Sequence, residues 1–361
     1  MTFPQAIEVI SRLCRTALAA QQPAALRAQL LSQLATILGE VGSTEAARRH
    51  VDEAMELAQA SGDAQALLDA ARAREMSLAG PDDAAERLPT LIADLLTDWC
   101  LEPVGDPMHG YGALVLPVRR RAGEDCVLKV SWLDEETRHE PTALHAWAGH
   151  GAVLLLAVDH RRGAMLLERL DASITLQHQP IMHALDVAAS VLRQLHIPAP
   201  AGLPTTTATA ERWHHTLALE WRRLGKPGTS RLIDAATVTC GHLAHDTAPQ
   251  VLLHGDFHFA NVLAGTRQPW NAIDPKPLTG APEYDLLPLL RNRWDDITAS
   301  GQPAHAVRRR IDTLAEATGL DRAKAHAWAF IRSVDDALRG HAQHDTQFET
   351  IAWEIAHALA T

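Results

Sequence analysis

The sequence predicts an α+β fold in which a small sheet lobe precedes a larger helical lobe, with an all-helical segment ahead of both. Residues 5–76 have helical periodicity, residues 112–171 contain short apolar strands around one helix, and the chain beyond residue 175 is mostly helical. Strands that come first and helices that follow are typical of α+β domains. A chain of 361 residues is also too long for one compact domain. It is short for three, so we expect two, residues 1–80 and the rest of the chain, with the boundary near Gly80-Pro81.

Composition and charge narrow the class of protein. Hydrophobic residues make up 47% of the chain, which is ample for a packed core. The 33 Lys and Arg against 44 Asp and Glu give a net charge of −11, which excludes a generic nucleic-acid binder held by phosphate contacts. Such a chain suits a cationic small-molecule partner, or an anion that local groups and a metal ion hold.

The cysteines and the apolar runs predict a cytoplasmic protein. The four cysteines have no CxxC spacing, so they indicate neither a zinc site nor a disulfide framework. The N-terminal segment carries Glu8 and helical periodicity where a signal peptide would have a continuous apolar core. No run of about 18 apolar residues occurs in the sequence, so we expect no membrane span.

The first 80 residues are predicted to form helical hairpins. Ser43 is the expected N-cap of a helix that ends at Ser61, and a further helix should cover residues 63–78. The pattern resembles tetratricopeptide-type helical repeats, although a three-helix bundle would look the same. Repeat arrays normally need about three units, so this segment should pack on the rest of the chain, a second copy or a protein partner. The side chains predicted to face inward are Leu26, Leu30, Leu34, Ile37, Ala47, Val51, Ala54 and Leu57.

The sheet lobe is predicted from four alternating segments. GALVLPVRR (112–120) and CVLKVSW (126–132) should pair as a hairpin across the turn residues 121–124. A helical stretch follows them, and then AVLLLAVDH (152–160) and GAMLLERLD (163–171) form two more strands. Asp171 is the expected cap of the next helix.

The residues that indicate chemistry lie in VLLHGDFHFANVLAG (251–265) and WNAIDPKP (270–277). Asp256 and Asn261 are five residues apart in a polar loop between two short strands, and Asp274 ends the next apolar segment. Carboxylate and amide oxygens are the ligands that Mg²⁺ prefers. The three side chains therefore predict a site for a hard divalent cation.

These motifs resemble the aminoglycoside phosphotransferase family, which is related to protein kinases. HGDFHFAN (254–261) matches the family's HGDxHxxN catalytic loop, and IDPKP (273–277) is similar to its metal-binding loop in streptomycin 6-kinases and hydroxyurea phosphotransferases. GAPEYDL, the segment 128–153 and GAMLLERLD resemble the same subgroup, so the resemblance covers about residues 88–340. It implies a protein-kinase-like bilobal fold with an N-lobe and hinge over 81–171 and a helical C-lobe over 172–361.

The resemblance also implies residue roles. Asp256 would orient the acceptor hydroxyl and take its proton as it attacks the γ-phosphate. Asn261 and Asp274 would hold Mg²⁺ against the phosphates. The residues expected to support the loop are His254, His258 and Asp285.

Lys129 is one of only four lysines in a chain that otherwise uses arginine. CVLKVSW has the form of the kinase strand whose lysine contacts the α- and β-phosphates of ATP or GTP. Its implied ion-pair partner is Glu140, which we favour over Glu135 and Glu136 because it precedes the apolar stretch TALHAW. The other residues expected near the nucleotide are Gly110, Tyr111 and Gly112 in a turn and Glu168, Arg169 and Leu170 in the hinge.

A cationic acceptor would need acids around the hydroxyl that is phosphorylated. We expect Asp295, Asp296 and Glu283 to provide them, and the pair Asp335-Asp336 is an alternative. Paired acids on helices are more often solvated surface than binding residues. Trp294 and Trp328 could stack on a sugar, although tryptophans in a helical chain are more often core.

The resemblance thus implies an ATP-dependent O-phosphotransferase that acts on an aminoglycoside, most like streptomycin at its 6-hydroxyl, and so confers resistance. One alternative is a kinase of another small hydroxylated molecule, hydroxyurea or a biosynthetic intermediate. The other is a non-catalytic regulatory module whose helical extension binds a partner.

Overall fold

The computed structural model of the chain describes residues 24, 26–28, 31, 44–61, 81–105, 107–110, 113–131 and 137–360. The chain forms two compact units, residues 1–101 and residues 102–361. Within the described ranges no helix is long and apolar enough to cross a membrane.

The described helices of the first unit are α1 (Thr44–Ser61) and α2 (Pro81–Asp98). Helix α1 occupies the predicted span, and its Ala54 and Ala58 pack with Ala28 and Leu31 in one buried cluster. Leu26 was expected to face inward, but it is 42% exposed, because Ala28 and Leu31 supply the contacts to α1. The predicted helix over residues 63–78 lies outside the described residues, and the domain boundary after residue 80 stays a prediction.

The second unit begins with an antiparallel sheet that confirms the predicted strands. Its strands are β1 (Leu101–Pro103), β2 (Met108–Gly110), β3 (Ala113–Arg120), β4 (Asp125–Ser131), β5 (Leu155–Asp159) and β6 (Ala164–Glu168). In this sheet β3 pairs with β4, β4 with β6, and β6 with β5, while β2 pairs with the first three residues of β3. Helix α3 (Glu140–Trp147) connects β4 to β5.

The rest of the unit is mainly helical, as predicted. Its long helices are α4 (Ile181–Leu195), α5 (Thr206–Arg223), α6 (Ser230–Ala244), α9 (Pro303–Thr318), α10 (Arg322–Ala342) and α11 (Thr346–Leu359), and its short ones are α7 (Leu287–Arg291) and α8 (Trp294–Thr298). Two small sheets hold the polar loops: β7 (Asp171–Thr175), β9 (Val262–Ala264) and β10 (Trp270–Ala272) form one, and β8 (Val251–Leu253) and β11 (Leu278–Gly280) form the other.

Asp171 does not cap a helix, contrary to the prediction. It begins β7, and its carboxylate accepts hydrogen bonds from the backbone N–H and the hydroxyl of Ser173. The chain is therefore extended where a helix start was expected, because β7 pairs with β9. Trp328 and Phe257 are fully buried in the core that these elements share.

Candidate active site

The loop that carries Asp256 is fixed at its start by a buried acid. Strand β8 ends at Leu253, and the next two backbone N–H groups, of His254 and Gly255, donate to Asp285 over 2.9 and 2.8 Å. Burial opposes the charge of Asp285, but hydrogen bonds from His196 and from these amides outweigh it and lower the pKa of Asp285. Gly255 has a φ of +80°, and a Cβ there would lie 1.9 Å from the Lys276 carbonyl oxygen. The loop therefore requires glycine at this point.

His254 joins the two polar loops through its ring. Nε2 donates to the Ile273 carbonyl oxygen over 3.0 Å, and Nδ1 can accept from the Asp256 backbone N–H at 3.4 Å. One neutral tautomer satisfies both contacts, and burial lowers the pKa of His254, which favours the neutral ring. The ring also stacks on Trp147 of α3, with the centroids 6.2 Å apart.

His258 contacts the loop through its backbone. Its ring Nδ1 is buried and has no hydrogen-bond partner among the described residues. Its backbone carbonyl accepts from the Asn261 N–H over 2.9 Å instead, which closes the short 3₁₀ turn Phe259–Asn261. Burial lowers the pKa of the His258 ring, so this side chain is also neutral.

The two loops bring Asp256, Asn261 and Asp274 together. The Asn261 amide donates to the Asp256 carbonyl oxygen over 3.1 Å, and the Ile273 N–H donates to the Asn261 carbonyl oxygen over 2.9 Å. Asp274 has a φ of +59°, a left-handed conformation that is rare outside glycine and that turns the chain directly after β10. The sequence motif thus folds into one polar site.

Lys129 lies in the middle of the sheet, opposite Val115 on β3 and Met165 on β6. Its Nζ is 2.8 Å from both carboxylate oxygens of Glu140 and 2.6 Å from Asp274 Oδ1. We call these three residues the Lys129 network. Glu140, the favoured partner, is therefore the one that the structure pairs, whereas Glu135 and Glu136 lie outside the described residues.

Burial and charge act against each other in the Lys129 network. Burial disfavours the ammonium, but the carboxylates of Glu140 and Asp274 outweigh it and raise the pKa of Lys129. Burial likewise opposes the charge of Asp274, and Lys129 nevertheless lowers the pKa of that carboxyl. Burial raises the pKa of Glu140 to about 6, which still leaves it ionised at neutral pH. The pKa shifts of Lys129 and Asp274 thus favour their charged forms, whereas burial shifts Glu140 towards protonation.

The oxygen atoms left over in this site fit Mg²⁺. The Asn261 side-chain nitrogen donates to the Asp256 carbonyl oxygen. The side-chain oxygen of Asn261 accepts no hydrogen bond from the part of the chain that the structure describes. Asp274 uses Oδ1 for Lys129, which leaves Oδ2. No cluster of three or more His, Cys, Asp or Glu suited to a metal occurs among the described residues. A two-oxygen site is what Mg²⁺ uses when phosphates and water complete its shell.

The predicted hinge residues follow one another at the end of β6. The Glu168 carboxylate accepts from the Leu154 N–H over 2.8 Å and forms an ion pair with Arg267. Arg169 Nη1 lies 3.8 Å from Asp125 Oδ2 on the sheet surface, and Leu170 packs partly buried against the core. Gly110 ends β2, whereas Tyr111 and Gly112 lie outside the described residues.

Asp256 opens on a cavity of about 1100 Å³, which we call the Asp256 cavity. Helices α5, α10 and α11 and the loop of Lys276 form its walls. Acidic and basic side chains are balanced among its described lining residues. The acids are Glu220, Asp256, Asp335, Asp336 and Asp345, and the bases are Arg212, Lys276, Arg291, Arg332 and Arg339.

The three acids predicted for the acceptor do not line this cavity. Asp296 forms an ion pair with Arg293 over 2.7 Å, and Glu283 is buried, where it accepts from the Asp321 N–H over 3.2 Å. Asp295 lies exposed on the same short helix as Asp296. Their role in acceptor binding therefore stays a prediction that the cavity lining does not support.

The cavity acids come instead from helices that are distant in the sequence. The alternative pair Asp335 and Asp336 lines the cavity, but Glu220 and Arg212 on α5 and Arg332 on α10 were not predicted. Their only sequence signal is helical spacing, which does not tell which face meets Asp256.

The site combines a strand lysine, a helix glutamate and a loop with an acid, an amide and a second acid, beside one large cavity. That arrangement defines a kinase-like phosphotransferase.

Comparison with known proteins specifies the family. Residues 98–343 match the family model described as aminoglycoside/hydroxyurea antibiotic resistance kinase. The chain is 40% identical over 274 residues to a streptomycin 6-kinase of Streptomyces glaucescens, which covers 75% of this chain and 89% of that relative. It is 41% identical over 257 residues to a hydroxyurea phosphotransferase of Kitasatospora aureofaciens, covering 70% and 73%. The chain therefore belongs to the aminoglycoside/hydroxyurea antibiotic resistance kinase family, which confirms the predicted family.

Solved structures confirm the predicted kinase-like fold. A thermostable mutant of an aminoglycoside phosphotransferase aligns with a TM-score of 0.51 and 16% identity, over 74% of this chain and 97% of that one. A choline kinase from Streptococcus pneumoniae aligns with a TM-score of 0.52 and 13% identity, over 76% and 99%. At such identities the likeness shows the fold alone.

Proposed function

We propose that the chain transfers the γ-phosphoryl group of ATP to a hydroxyl of a cationic aminoglycoside. Two of its relatives are named streptomycin 6-kinase, which supports this substrate class. The observation that carries this proposal is the position of Asp256. This acid lines a cavity large enough for an aminoglycoside, and the loop that bears it also bears Asn261, beside the Lys129 network.

On the donor side, Lys129 would leave Asp274 to contact the α- and β-phosphates while Glu140 holds its ammonium in place. Asn261 and Asp274 would hold Mg²⁺, which screens the charge that develops on the phosphate oxygens. The backbone of residues 168–170 would receive the adenine, because the Glu168 side chain is already bound to Arg267.

On the acceptor side, Asp256 would accept the proton of the attacking hydroxyl. Its carboxylate is partly buried, and the Lys276 ammonium lies 3.9 Å from it. The start of the loop is fixed because the Gly255 N–H donates to Asp285 and the Gly255 backbone packs closely against the Lys276 carbonyl. These contacts hold Asp256 in position at the cavity. Positioning of this kind is a large part of phosphoryl-transfer catalysis.

Hydroxyurea is the second candidate acceptor, because one relative of 41% identity is named hydroxyurea phosphotransferase. The cavity volume of about 1100 Å³ favours a larger acceptor over this small one. Transfer to an aminoglycoside would inactivate the antibiotic in the cytoplasm, where ATP is available. The intact Lys129 network argues against a non-catalytic regulatory module.

The full chain should be incubated with Mg²⁺, with ATP or GTP, and with a panel of aminoglycosides that includes streptomycin, or with hydroxyurea. Mass spectrometry should show a gain of about 80 Da, one phosphoryl group, on one aminoglycoside with ATP. The gain should disappear in EDTA and in the Asp256→Asn variant. Wild-type protein that phosphorylates none of the aminoglycosides would contradict the proposed function.

A further inference from the structure

Four of the five described acids that line the Asp256 cavity are already engaged within the chain. Asp336 forms ion pairs with Arg291 and Arg339, and Glu220 forms one with Arg223. The Asp345 carboxylate caps α11 by accepting from the Phe348 N–H over 2.9 Å. The fourth is Asp256, beside Lys276.

Asp335 is the fifth acid, and it is different. No side chain among the described residues comes within ion-pair or hydrogen-bond distance of its carboxylate, although it is partly buried in the cavity wall. Arg339 is occupied by Asp336, and Arg332 lies over the Tyr284 ring, 3.8 Å from its centroid, and donates to the Tyr284 and Gly255 carbonyls. The titratable or charged groups that face Asp335 are Arg212 on α5, Cys240 on α6, Tyr284 and, on α10, Arg332, Asp336 and Arg339.

We propose that Asp335 is the specificity-determining carboxylate of the acceptor site, and that it forms an ion pair with an ammonium or guanidinium group of the acceptor. This inference rests on the proposed function and adds to it the residue that selects cationic over neutral acceptors. Asp335 and Asp256 line the same cavity, so one acceptor can contact both, with its cation at Asp335 and its hydroxyl at Asp256.

The chain stabilises Asp335 poorly in the absence of a ligand. A partly buried carboxylate without a partner loses hydration and gains no compensating contact. Burial, followed by repulsion from Asp336, raises the pKa of Asp335 to about 6. A cation bound at this position would supply the missing partner and favour the ionised carboxylate. Residues held in unfavourable states of this kind cluster at functional sites.

Steady-state kinetics of Asp335→Asn test the inference, because asparagine keeps the shape and removes the charge. Loss of one charge-assisted hydrogen bond predicts a KM for the aminoglycoside that is about 10- to 100-fold higher, with the KM for ATP and kcat nearly unchanged. Asp186→Asn is the matched control, since Asp186 is exposed on α4 and does not line the cavity. Its KM values should equal those of the wild type.

The pH dependence provides a second readout. In the wild type the KM for the aminoglycoside should fall as the pH rises through about 6, because Asp335 becomes ionised there. The Asp335→Asn variant should lack this change. Its melting temperature at pH 7 should be no lower than that of the wild type, which separates loss of recognition from loss of folding.

The outcomes distinguish the two proposals. If the wild type phosphorylates no aminoglycoside, the proposed function is wrong. If the wild type does so and Asp335→Asn, folded, keeps a KM within twofold of Asp186→Asn, the role of Asp335 is wrong. A KM increase of equal size for a neutral acceptor would also overturn it, since the effect would then not depend on charge.

Discussion

The Lys129 network and the Asp256 cavity differ in how their carboxylates are paired with cations. In the network each carboxylate lies within 2.8 Å of the Lys129 ammonium. In the cavity, acids and bases are balanced in number, yet Asp335 has no partner among the described residues. Because the same nucleotide donor is used in every turnover, ion pairs within the chain can hold Lys129 in place until it contacts the phosphates. An acceptor must be distinguished from other molecules. A carboxylate whose ion-pair partner comes from the acceptor itself makes that distinction.

The two regions also differ in how the sequence encodes them. Asp256, Asn261 and Asp274 lie within 19 residues, so their spacing alone predicts that they meet. Glu220 and Asp335 are over a hundred residues apart, on helices whose relative rotation depends on the packing of the whole lobe. This difference should appear when each region is altered.

The largest effect is expected at the point where the two regions meet. Asp256→Asn removes the group that accepts the hydroxyl proton, so kcat should fall by about 10²- to 10⁴-fold. The loop should keep its shape, because Asp256 holds it through backbone contacts to His254 and Asn261. Phosphate transfer measured by mass spectrometry, with circular dichroism as a check on folding, gives the answer. Near-wild-type kcat would remove Asp256 from the reaction.

The next largest effect is expected at Lys129, where the test is whether the Lys129 network requires a compact ammonium group. Lys129→Arg keeps the charge but places a larger, forked guanidinium between Glu140 and Asp274, so kcat/KM for ATP should fall about 10- to 100-fold. The matched control is Lys324→Arg, since Lys324 forms a comparable ion pair with Asp246 outside the cavity lining. Equal activity of the two variants would show that a compact ammonium is not required.

The sequence was sufficient for the elements that local pattern controls. The hairpin of β3 and β4, the strand position of Lys129 and the Asp256 loop were predicted because alternation and motif spacing are local properties. The sequence could not show that Glu283, Asp295 and Asp296 lie outside the cavity lining, because this depends on tertiary neighbours. Asp296 pairs with Arg293, and the buried Glu283 accepts from the Asp321 N–H.

A smaller effect is expected at the predicted hinge. Arg267 donates to Glu168, to the carbonyls of Gly149 and Ala152 and to Asn271 Oδ1, so it joins the end of β6 to the loop before β5 and to β10. Arg267→Gln should lower the free energy of unfolding by about 1–3 kcal/mol, since partly buried charged hydrogen bonds are lost. Chemical denaturation measures this. Arg119→Gln, which breaks an exposed pair with Asp125, should change stability little. Equal losses in the two variants would contradict the role of Arg267.

The smallest effect has the opposite sign and returns to Asp335. Its pKa rises from the usual value near 4 in the unfolded chain to about 6 in the folded one, so the folded state binds more protons between these values. Ionisation of Asp335 therefore reduces stability as the pH rises from about 4 to about 6, and the whole reduction persists above that range. Asp335→Asn should equal the wild type below about pH 4 and exceed it above about pH 6, by at most about 3 kcal/mol. Urea denaturation across this range measures the difference. A variant less stable than the wild type at pH 7 would mean that Asp335 has a stabilising partner. The contrast between the ion-paired acids of the Lys129 network and the unpaired acid of the Asp256 cavity would then fail.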